Sequence, residues 1–339
     1  MKAIAYKTPH TISAADGLAD ITLPDPIASG HDLLVEVKAI SVNPVDTKVR
    51  NSAAPVEGQT WKVLGYDASG IVRAVGPDVT LFKPGDKVFY AGSITRPGTN
   101  SELHLVDERI VGHMPETLDF AQAAALPLTA ITAWEMLFDR LGLVPGKQPS
   151  GKTLLVIGAA GGVGSIMVQL ASRLTALTVI GTASRLETQG WVKSLGAHHV
   201  IDHSQPLAAQ LKDIGFAQVD YIVSLTHTLD HLPQIIEAIA PQGKFGLIDD
   251  MPVLDIMPFK RKAVSVHWEL MFTRPMFNTP DMIAQHQLLD EVAGLVDAGL
   301  VKTTLTETFG TINAANLRRA HTLIESGKAR GKIVLDGWV

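Results

Sequence analysis

The segment LLVIGAAGGVGSIMVQLA, Leu154 to Ala171, places a short apolar run before a glycine-rich turn and an amphipathic stretch after it. The turn holds four glycines: Gly158, Gly161, Gly162 and Gly164. Backbone N–H groups of such a turn, and the positive end of the helix that follows, face an approaching anion, while Gly164 lets helix and strand pack closely. The pattern favours a Rossmann-type βα unit that receives the pyrophosphate of a dinucleotide.

Two other interpretations of this segment stay open from its residues alone. Ala159 occupies the place of the first glycine in GxGxxG, so the fingerprint is irregular. The window is apolar, and Gly158 and Gly162 form GxxxG, a motif of transmembrane helices. Gln169 and Arg173 argue against a membrane span and favour strand, turn and helix. A glycine-rich packing turn without a ligand is the second alternative.

Length and composition restrict the class of protein. The chain of 339 residues is long enough for two domains, and its 46% hydrophobic and 19% charged residues are typical of globular proteins. A net charge of −5 and a pI near 6.2 give no reason to expect nucleic acid or an anionic membrane surface as partner. Residues 1–17 contain too short an apolar stretch for a signal peptide, so we expect a cytoplasmic location.

The sequence contains no cysteine, which excludes disulfides, thiolate nucleophiles and zinc sites built on sulfur. Two histidine pairs, His199 with His203 and His227 with His231, have the i, i+4 spacing of metal ligands. No acidic third ligand is obvious beside either pair. We therefore expect surface or loop roles for these histidines and no bound metal.

Residues 1 to about 125 have the pattern of a β domain. Apolar runs alternate with turn-forming clusters such as Pro84-Gly85-Asp86; the runs span residues 33–42, 70–76 and 86–92. This spacing predicts a barrel-like β domain. From about residue 118 the chain is rich in alanine and leucine with helical periodicity broken at Pro127, which predicts two helices before the glycine turn.

Beyond the glycine turn, strand and helix patterns alternate, which specifies a parallel sheet with helical crossovers and hence an α/β fold class. LPQIIEAIA (232–240) is predicted to be one of the helices, and AVSVHWELM (263–271) a further strand. Amphipathic helices are predicted at 282–300 and in ANLRRAHTLIESG, which stops at Gly327. The final KIVLDGWV is predicted to be a strand that returns to the first β domain.

Several ordered motifs resemble the medium-chain dehydrogenase/reductase superfamily over nearly the whole chain. They are VLGYDASGIVRAVG (63–76), FKPGDKVFYAG (82–92), ALPLTAITAWEML (125–137), the AAGGVG turn, SLGAHHVID (194–202), APQGKFGLI (240–248) and GKIVL (331–335). The branch that they resemble most is that of the zinc-free quinone oxidoreductases, the zeta-crystallin-like proteins. Members of this branch are often labelled zinc-type alcohol dehydrogenase-like.

The resemblance implies a GroES-like β-rich catalytic domain formed by residues 1–125 and 271–339. It implies a Rossmann NADP-binding domain with a doubly wound parallel sheet at 126–270, and an active site in the cleft between the two. It also implies a homodimer or a dimer of dimers, with the last Rossmann strand near 264–270 often at the contact.

In the zinc alcohol dehydrogenases that the chain resembles, a cysteine, a histidine and a further ligand hold the catalytic metal. The matching positions hold Asn43, Tyr66 and Leu128, none of which is a competent zinc ligand in that geometry. The four-cysteine structural zinc lobe is absent as well. We therefore expect a zinc-independent enzyme.

The strand after the glycine turn is expected to end beside the adenine ribose, where NAD enzymes place an acidic residue about 20 residues past the glycines. Ala183 stands there, followed by Ser184 and Arg185. A carboxylate repels a 2′-phosphate, whereas a hydroxyl and a guanidinium bind it. NADPH is therefore the expected cofactor. Two alternatives remain. Glu187 could bind the ribose of NAD, and Arg185 could be a solvated residue in the first turn of a helix, without a role in binding.

The remaining cofactor candidates come from the fingerprint and the resemblance. They are Thr132, Ala160, Gly161, Gly162, Val163, Gly164, Thr182, His203, Leu225, Thr226 and Lys332. The resemblance places His203 near the 2′-phosphate, and Thr132 and the Thr226-His227 segment near the nicotinamide. Lys332 either reaches the cofactor or only flanks a strand.

Without a metal, a carbonyl substrate lacks Lewis-acid polarisation, so reduction of an activated acceptor fits better than alcohol–aldehyde chemistry. We expect hydride transfer from NADPH to a quinone, which needs an apolar slot and one or two donors at the developing oxyanion. The catalytic candidates are Asn43, Asp46 and Tyr66. Their structural alternatives are a turn with Pro44 for Asn43, a helix cap for Asp46 and packing for Tyr66.

Two other functions remain compatible with the residues. An NADPH-dependent alkenal or enone (enoyl) reductase differs from a quinone reductase only in the substrate pocket. A non-catalytic NADPH-binding protein, the role taken by crystallins of this branch, belongs to another class. The intact glycine turn and 2′-phosphate residues favour an enzyme.

Overall fold

The computed structural model describes residues 1–14, 17–147 and 150–338. The chain forms two compact units: Met1–Ile131 with Phe272–Val339, called unit 1, and Thr132–Met271, called unit 2. The domain boundaries expected after residues 125 and 270 stay predictions.

The first 131 residues form mainly strands. The strands are β1 (Lys2–Tyr6), β2 (Ala19–Thr22), β3 (Asp32–Val42), β4 (Lys62–Val63), β5 (Ala68–Val75), β6 (Lys87–Tyr90), β7 (Leu103–Asp107) and β8 (Val111–His113). The helices are α1 (Pro44–Ser52), α2 (Phe120–Ala124) and α3 (Pro127–Trp134), and α3 continues as a π-helical segment, Glu135–Arg140. Pro127 separates α2 from α3, as the sequence predicts.

Strands and helices alternate through unit 2. They are β9 (Thr153–Ile157), α4 (Gly162–Leu174), β10 (Thr178–Thr182), α5 (Leu186–Ser194), β11 (His199–Ile201), α6 (Leu207–Asp213), β12 (Val219–Ser224), α7 (Thr228–Ala238), β13 (Ile239–Leu247) and β14 (Ser265–Trp268). The chain then forms α8 (Thr273–Phe277), α9 (Ala284–Asp297), β15 (Leu305–Thr308), α10 (Ala314–Glu325) and β16 (Lys332–Asp336).

The sheet of unit 2 is parallel and doubly wound. Its strand order is β11-β10-β9-β12-β13-β14, and each neighbouring pair is parallel. The chain therefore starts in the middle at β9, winds outward to β11, and returns to continue at β12. All five residues of β9 are buried, which explains why this strand is a continuous apolar run rather than an alternating one. The α/β fold class is confirmed.

Unit 1 contains two sheets. β2, β1 and β4 form the smaller one, and the larger one has the order β15-β16-β3-β5-β6-β8, with β7 also paired to β3. β16 is antiparallel to β3, with Ile333 opposite Val42. The last strand of the chain thus joins the sheet built by its first residues, as predicted.

Two predicted helices are longer than the observed ones. The helix predicted through Ala240 ends at Ala238, because Ile239 already pairs with Val219 as the first residue of β13. The helix predicted at 282–300 is α9, which ends at Asp297, and Gly299 follows with φ = +70°. That left-handed conformation favours glycine and stops a helix.

The outer strand of the unit 2 sheet exposes apolar side chains. Trp268 on β14 is 52% exposed, and Leu270 directly after it is 53% exposed. An open strand edge with apolar neighbours is a surface that pairs readily with another chain. The homodimer with a contact near 264–270 stays a prediction. No helix within the described residues is long and apolar enough to cross a membrane. The glycine segment forms β9, a turn and α4, so its interpretation as one transmembrane helix is wrong.

Candidate active site

The turn between β9 and α4 is a close-packed backbone cradle. Gly158 has φ = +83°, a conformation that L-residues with a side chain rarely adopt. A Cβ added at Gly164 would lie 2.4 Å from the carbonyl oxygen of Gly158 and 2.5 Å from Cα of Ala159. The helix therefore approaches the turn more closely than any side chain at this position permits. This is the cradle that a pyrophosphate needs at the start of a helix.

This cradle lies at the point where the strand order of the sheet reverses. β9 and β12 are neighbours there, and the N–H of Leu225, directly after β12, donates to the carbonyl of Ile157 at 3.1 Å. Thr226 follows, with its methyl group 3.1 Å from the Cβ position of Gly158. In doubly wound sheets, ligands bind outside the carboxyl ends of the strands at this reversal.

The end of β10 supports the cradle and carries the residues predicted to select the cofactor. The buried Thr182 hydroxyl accepts a hydrogen bond from the N–H of Gly158 at 3.1 Å, which ties β10 to the turn. Ala183 is buried, whereas Ser184 and Arg185 are exposed as the chain enters α5. A hydroxyl and a guanidinium therefore stand where a carboxylate would bind a ribose.

A cavity of about 280 Å³ opens beside the glycine turn. Its lining consists of Ile157, Gly158, His203, Thr226, His227, Asp230 and His231. The His203 and His231 rings lie 6.1 Å apart at an interplanar angle of 70°. Burial lowers the pKa of both histidines. Their neutral rings give this cavity a polar wall, and Asp230 adds a carboxylate to the same lining.

Unit 1 contains a buried charged cluster centred on Lys332. The ammonium donates to the carbonyl of Val42 (2.9 Å), to a carboxylate oxygen of Asp67 (2.9 Å) and to Oδ1 of Asn43. The amide of Asn43 donates in turn to the same Asp67 oxygen at 2.8 Å, and the N–H of Leu128 donates to the other at 2.7 Å. Burial raises the pKa of Asp67, and Lys332 is the strongest opposing influence. All three ammonium protons are therefore used inside the protein.

Asp46 lies at the edge of this cluster and caps α1. Its carboxylate accepts from the N–H of Asn43 at 2.7 Å and from the N–H of Gly65 at 3.2 Å. Burial raises the pKa of Asp46 to about 7, although both hydrogen bonds and Lys332 favour the charged form. The helix-cap alternative for Asp46 is confirmed, and a catalytic role for it stays a prediction.

Tyr66 is buried, with its ring packed edge-on against Phe272 at 5.3 Å between centroids. Its hydroxyl is buried and has no hydrogen-bond partner among the described residues. Burial raises the pKa of this phenol, and the nearby Asp46 carboxylate raises it further. A protonated hydroxyl without a partner inside the protein is a donor that a ligand can satisfy.

Comparison with known proteins identifies relatives of this chain. Residues 29–118 match the alcohol dehydrogenase GroES-like domain, and residues 195–335 match the zinc-binding dehydrogenase family. A zinc-type alcohol dehydrogenase-like protein of Staphylococcus aureus (strain MSSA476) is 40% identical over 99% of this chain and 100% of its own length. The chain belongs to the medium-chain dehydrogenase/reductase superfamily.

Solved structures of this superfamily have the same fold. A protein from Rhizobium etli CFN 42, described as a candidate zinc-dependent alcohol dehydrogenase, is 62% identical with a TM-score of 0.95 and covers 100% of this chain and 98% of its own. A quinone oxidoreductase from Pseudomonas syringae pv. Tomato DC3000 is 25% identical with a TM-score of 0.84, over 99% of both chains. The chain is thus an oxidoreductase-type member of the superfamily with its NAD(P)-binding fold.

Zinc occurs in the names of superfamily relatives, but the matching residues of this chain do not fit a zinc ion. Leu128 has an apolar side chain, and Oδ1 of Asn43 already accepts from the Lys332 ammonium. Within the described parts of the chain, no three His, Asp or Glu side chains are grouped so that they could hold a metal ion. Zinc prefers nitrogen and sulfur ligands, whereas the oxygen atom available here is already bound to an internal ammonium.

The structure gathers the predicted residues of this superfamily member into two groups. The cofactor candidates Ala160, Gly161, Gly162, Val163, Gly164, Thr182, Leu225 and Thr226 lie at or beside the glycine turn, and His203 lines the adjoining cavity. Lys332 lies in unit 1 with Asn43 and Asp46, and Thr132 is a buried residue of α3. Their contacts with a cofactor or substrate stay predictions.

Sequence reasoning missed two residues of these groups. Asp67 stands in the apolar run VLGYDASGIV, and a lone carboxylate in a buried strand region is a signal that it has an internal partner. The sequence shows His231 only as half of a metal-like pair. Its place beside His203 depends on tertiary packing, which no local pattern in the sequence reports.

Proposed function

We propose that this protein is an NADPH-dependent, zinc-independent reductase that transfers hydride to a quinone or a similar activated carbonyl acceptor. The observation that carries the proposal is the end of β10, where the exposed Ser184 and Arg185 replace the carboxylate that binds the NAD ribose. A guanidinium binds the 2′-phosphate of NADPH by paired, charge-assisted hydrogen bonds. The name of the Pseudomonas syringae relative supports a quinone as acceptor.

Separate groups of residues bind the cofactor and the acceptor in this proposed reaction. The glycine cradle holds the pyrophosphate, and Ser184 and Arg185 hold the 2′-phosphate. The nicotinamide, when bound, would supply the hydride. The Tyr66 hydroxyl donates a hydrogen bond to the acceptor oxygen as negative charge develops on it, and its raised pKa keeps it protonated in this role. The Lys332, Asp67 and Asn43 cluster fixes the end of β3 and the start of α1 around it.

A panel assay tests the reaction. Purified protein with NADPH is expected to reduce ortho- or para-quinones, and EDTA is expected to leave the rate unchanged because no step uses a metal. The rate of NADPH oxidation at 340 nm measures this. Strong inhibition by EDTA contradicts zinc independence. Reduction of enones or alkenals alone identifies the enone reductase, and no turnover with any acceptor identifies the binding protein.

The variant Tyr66→Phe separates chemistry from folding in the same assay. Loss of the donor is expected to lower kcat roughly fivefold, since one neutral hydrogen bond contributes about 1 kcal/mol. The free energy of unfolding is expected to stay the same or to rise, because the hydroxyl is buried without a partner in the described chain. Tyr6→Phe is the control, since Tyr6 donates to the carbonyl of Ala53 at 2.7 Å and its loss costs stability.

Arg185→Ala tests the cofactor preference. The dissociation constant of NADPH is expected to rise about tenfold or more, because a charge-assisted hydrogen bond contributes about 1.5–3 kcal/mol. The dissociation constant of NADH is expected to stay unchanged, so NADH is the internal control. Fluorescence titration of the reduced nicotinamide measures both. Equal affinities for the two cofactors in the unmodified protein contradict the preference.

A further inference from the structure

The cavity beside the glycine turn has an unusual polar wall. The Nδ1 atoms of both His203 and His231 are buried and have no hydrogen-bond partner anywhere in the described chain. Both residues line the same cavity, with their rings 6.1 Å apart. A buried ring nitrogen without a partner costs free energy unless a ligand or a proton satisfies it. The pair can therefore take up a proton from solution when an anion is bound beside it.

Strand register places this pair next to the residues proposed to bind the 2′-phosphate. Thr182 of β10 lies opposite Ile201 of β11, and the N–H of Ala183 donates to the carbonyl of Ile201 at 2.9 Å. The two parallel strands end side by side. His203 therefore follows β11 as Ser184 and Arg185 follow β10. An anion bound at Ser184 and Arg185 would therefore lie beside the segment that carries His203.

We propose that His203 and His231 act as a proton-accepting pair that becomes charged when the 2′-phosphate binds, so that NADPH binding takes up a proton and NADH binding does not. This inference rests on the proposed function, because it needs NADPH at this site. It adds a coupling between cofactor choice and pH that the charge of Arg185 alone does not produce.

The charges around the pair determine the sign of the effect. Burial is the main cause that lowers the pKa of each histidine. His203 lowers the pKa of His231 further, and His227 lowers the pKa of both. Asp202 raises the pKa of His203, and Asp230 raises that of His231. From the other neighbouring elements, Arg185 and Glu187 stand at the start of α5, and Asp249 follows β13 and accepts from the N–H of Thr228. A phosphate dianion added to this set raises the pKa of the nearest imidazole.

Because the histidines are neutral in the free protein and gain a proton in the complex, NADPH binding is expected to weaken as pH rises. Linkage of one proton corresponds to about a tenfold change in the dissociation constant per pH unit while the proton is taken up. We expect this dependence between pH 7 and 8, where the 2′-phosphate itself is already a dianion. NADH, which lacks the phosphate, is expected to show no such slope.

Isothermal titration calorimetry of the full chain in two buffers of different ionisation enthalpy counts the protons directly. NADPH is expected to take up a measurable fraction of a proton, up to one, at pH 7.5, and NADH none. In His203→Asn with His231→Asn the uptake is expected to disappear. The matched control is His199→Asn, since His199 lies on β11 but packs on Phe216 instead of lining the cavity. It is expected to behave like the unmodified protein.

The outcomes separate this inference from the proposed function. Tighter binding of NADPH than NADH without proton uptake overturns the inference alone. Uptake that persists in the double variant, or that is equal for NADH, overturns it as well. If NADPH binds no tighter than NADH, the cofactor preference fails and the inference fails with it.

Discussion

Replacing Gly164 with alanine is expected to weaken NADPH binding about 100-fold and to lower the free energy of unfolding by about 1–3 kcal/mol. The added Cβ would lie 2.4 Å from the Gly158 carbonyl oxygen and 2.5 Å from Cα of Ala159. Both are backbone atoms, so neither can rotate away as a flexible side chain would. Helix α4 and the turn must separate, and the N–H groups that face the pyrophosphate then lose their alignment.

Gly190→Ala is the matched control for this variant. Gly190 is also helical, in α5, but a Cβ there meets no heavy atom within 4 Å in the described structure. Alanine has the higher helix propensity, so stability is expected to stay the same or to rise slightly. Fluorescence titration of NADPH and urea unfolding measure the two effects. Unchanged NADPH affinity in the Gly164→Ala protein would contradict the assignment of the glycine turn to the cofactor site.

Replacing Lys332 with methionine is expected to lower the free energy of unfolding by about 3–5 kcal/mol. The ammonium and the Asp67 carboxylate are both buried, at 3% and 0% side-chain exposure, and lie 2.9 Å apart. Methionine preserves most of the volume but leaves the carboxylate without its counter-ion. The carbonyl of Val42 and Oδ1 of Asn43 lose their donor in the same step.

A double-variant cycle tests whether the lost ion pair is the cause. Asp67→Asn in the Lys332→Met background removes the uncompensated charge, so it is expected to restore at least about 1 kcal/mol of the lost stability. Lys212→Met, at the exposed end of α6, is the control and is expected to change stability by less than about 0.5 kcal/mol. Urea unfolding measures the set. Additive losses for Lys332 and Asp67 would show that the two side chains act independently.

These predictions use features that the sequence reveals to different degrees. The glycine turn, the alternation of strands and helices, and the break at Pro127 are local patterns, and the structure confirms them. Apolar periodicity predicts ends of α7 and α9 that lie too far along the chain. Pairing of Ile239 with β12 and the left-handed Gly299 end the two helices earlier. Periodicity reports which face is buried, but not where tertiary pairing takes over.

The role of Lys332 shows the limit most clearly. The sequence leaves two interpretations for the Lys332 ammonium: it reaches the cofactor, or it only flanks the final strand. The structure gives it three acceptors in unit 1, on residues more than 260 positions earlier in the chain. Only the antiparallel pairing of β16 with β3 brings those groups together, because Ile333 then lies opposite Val42.

The sequence by itself thus determined the glycine cradle, since left-handed backbone at Gly158 and close packing at Gly164 need glycine at those positions. It also determined the α/β order and the absence of a carboxylate after β10. Tertiary structure alone decided the partners of Lys332 and the meeting of His203 with His231. The physical reason is that backbone preferences and periodicity act over a few residues. The partners of a buried charge and the residues of a cavity wall come from segments distant in sequence, which strand pairing brings together.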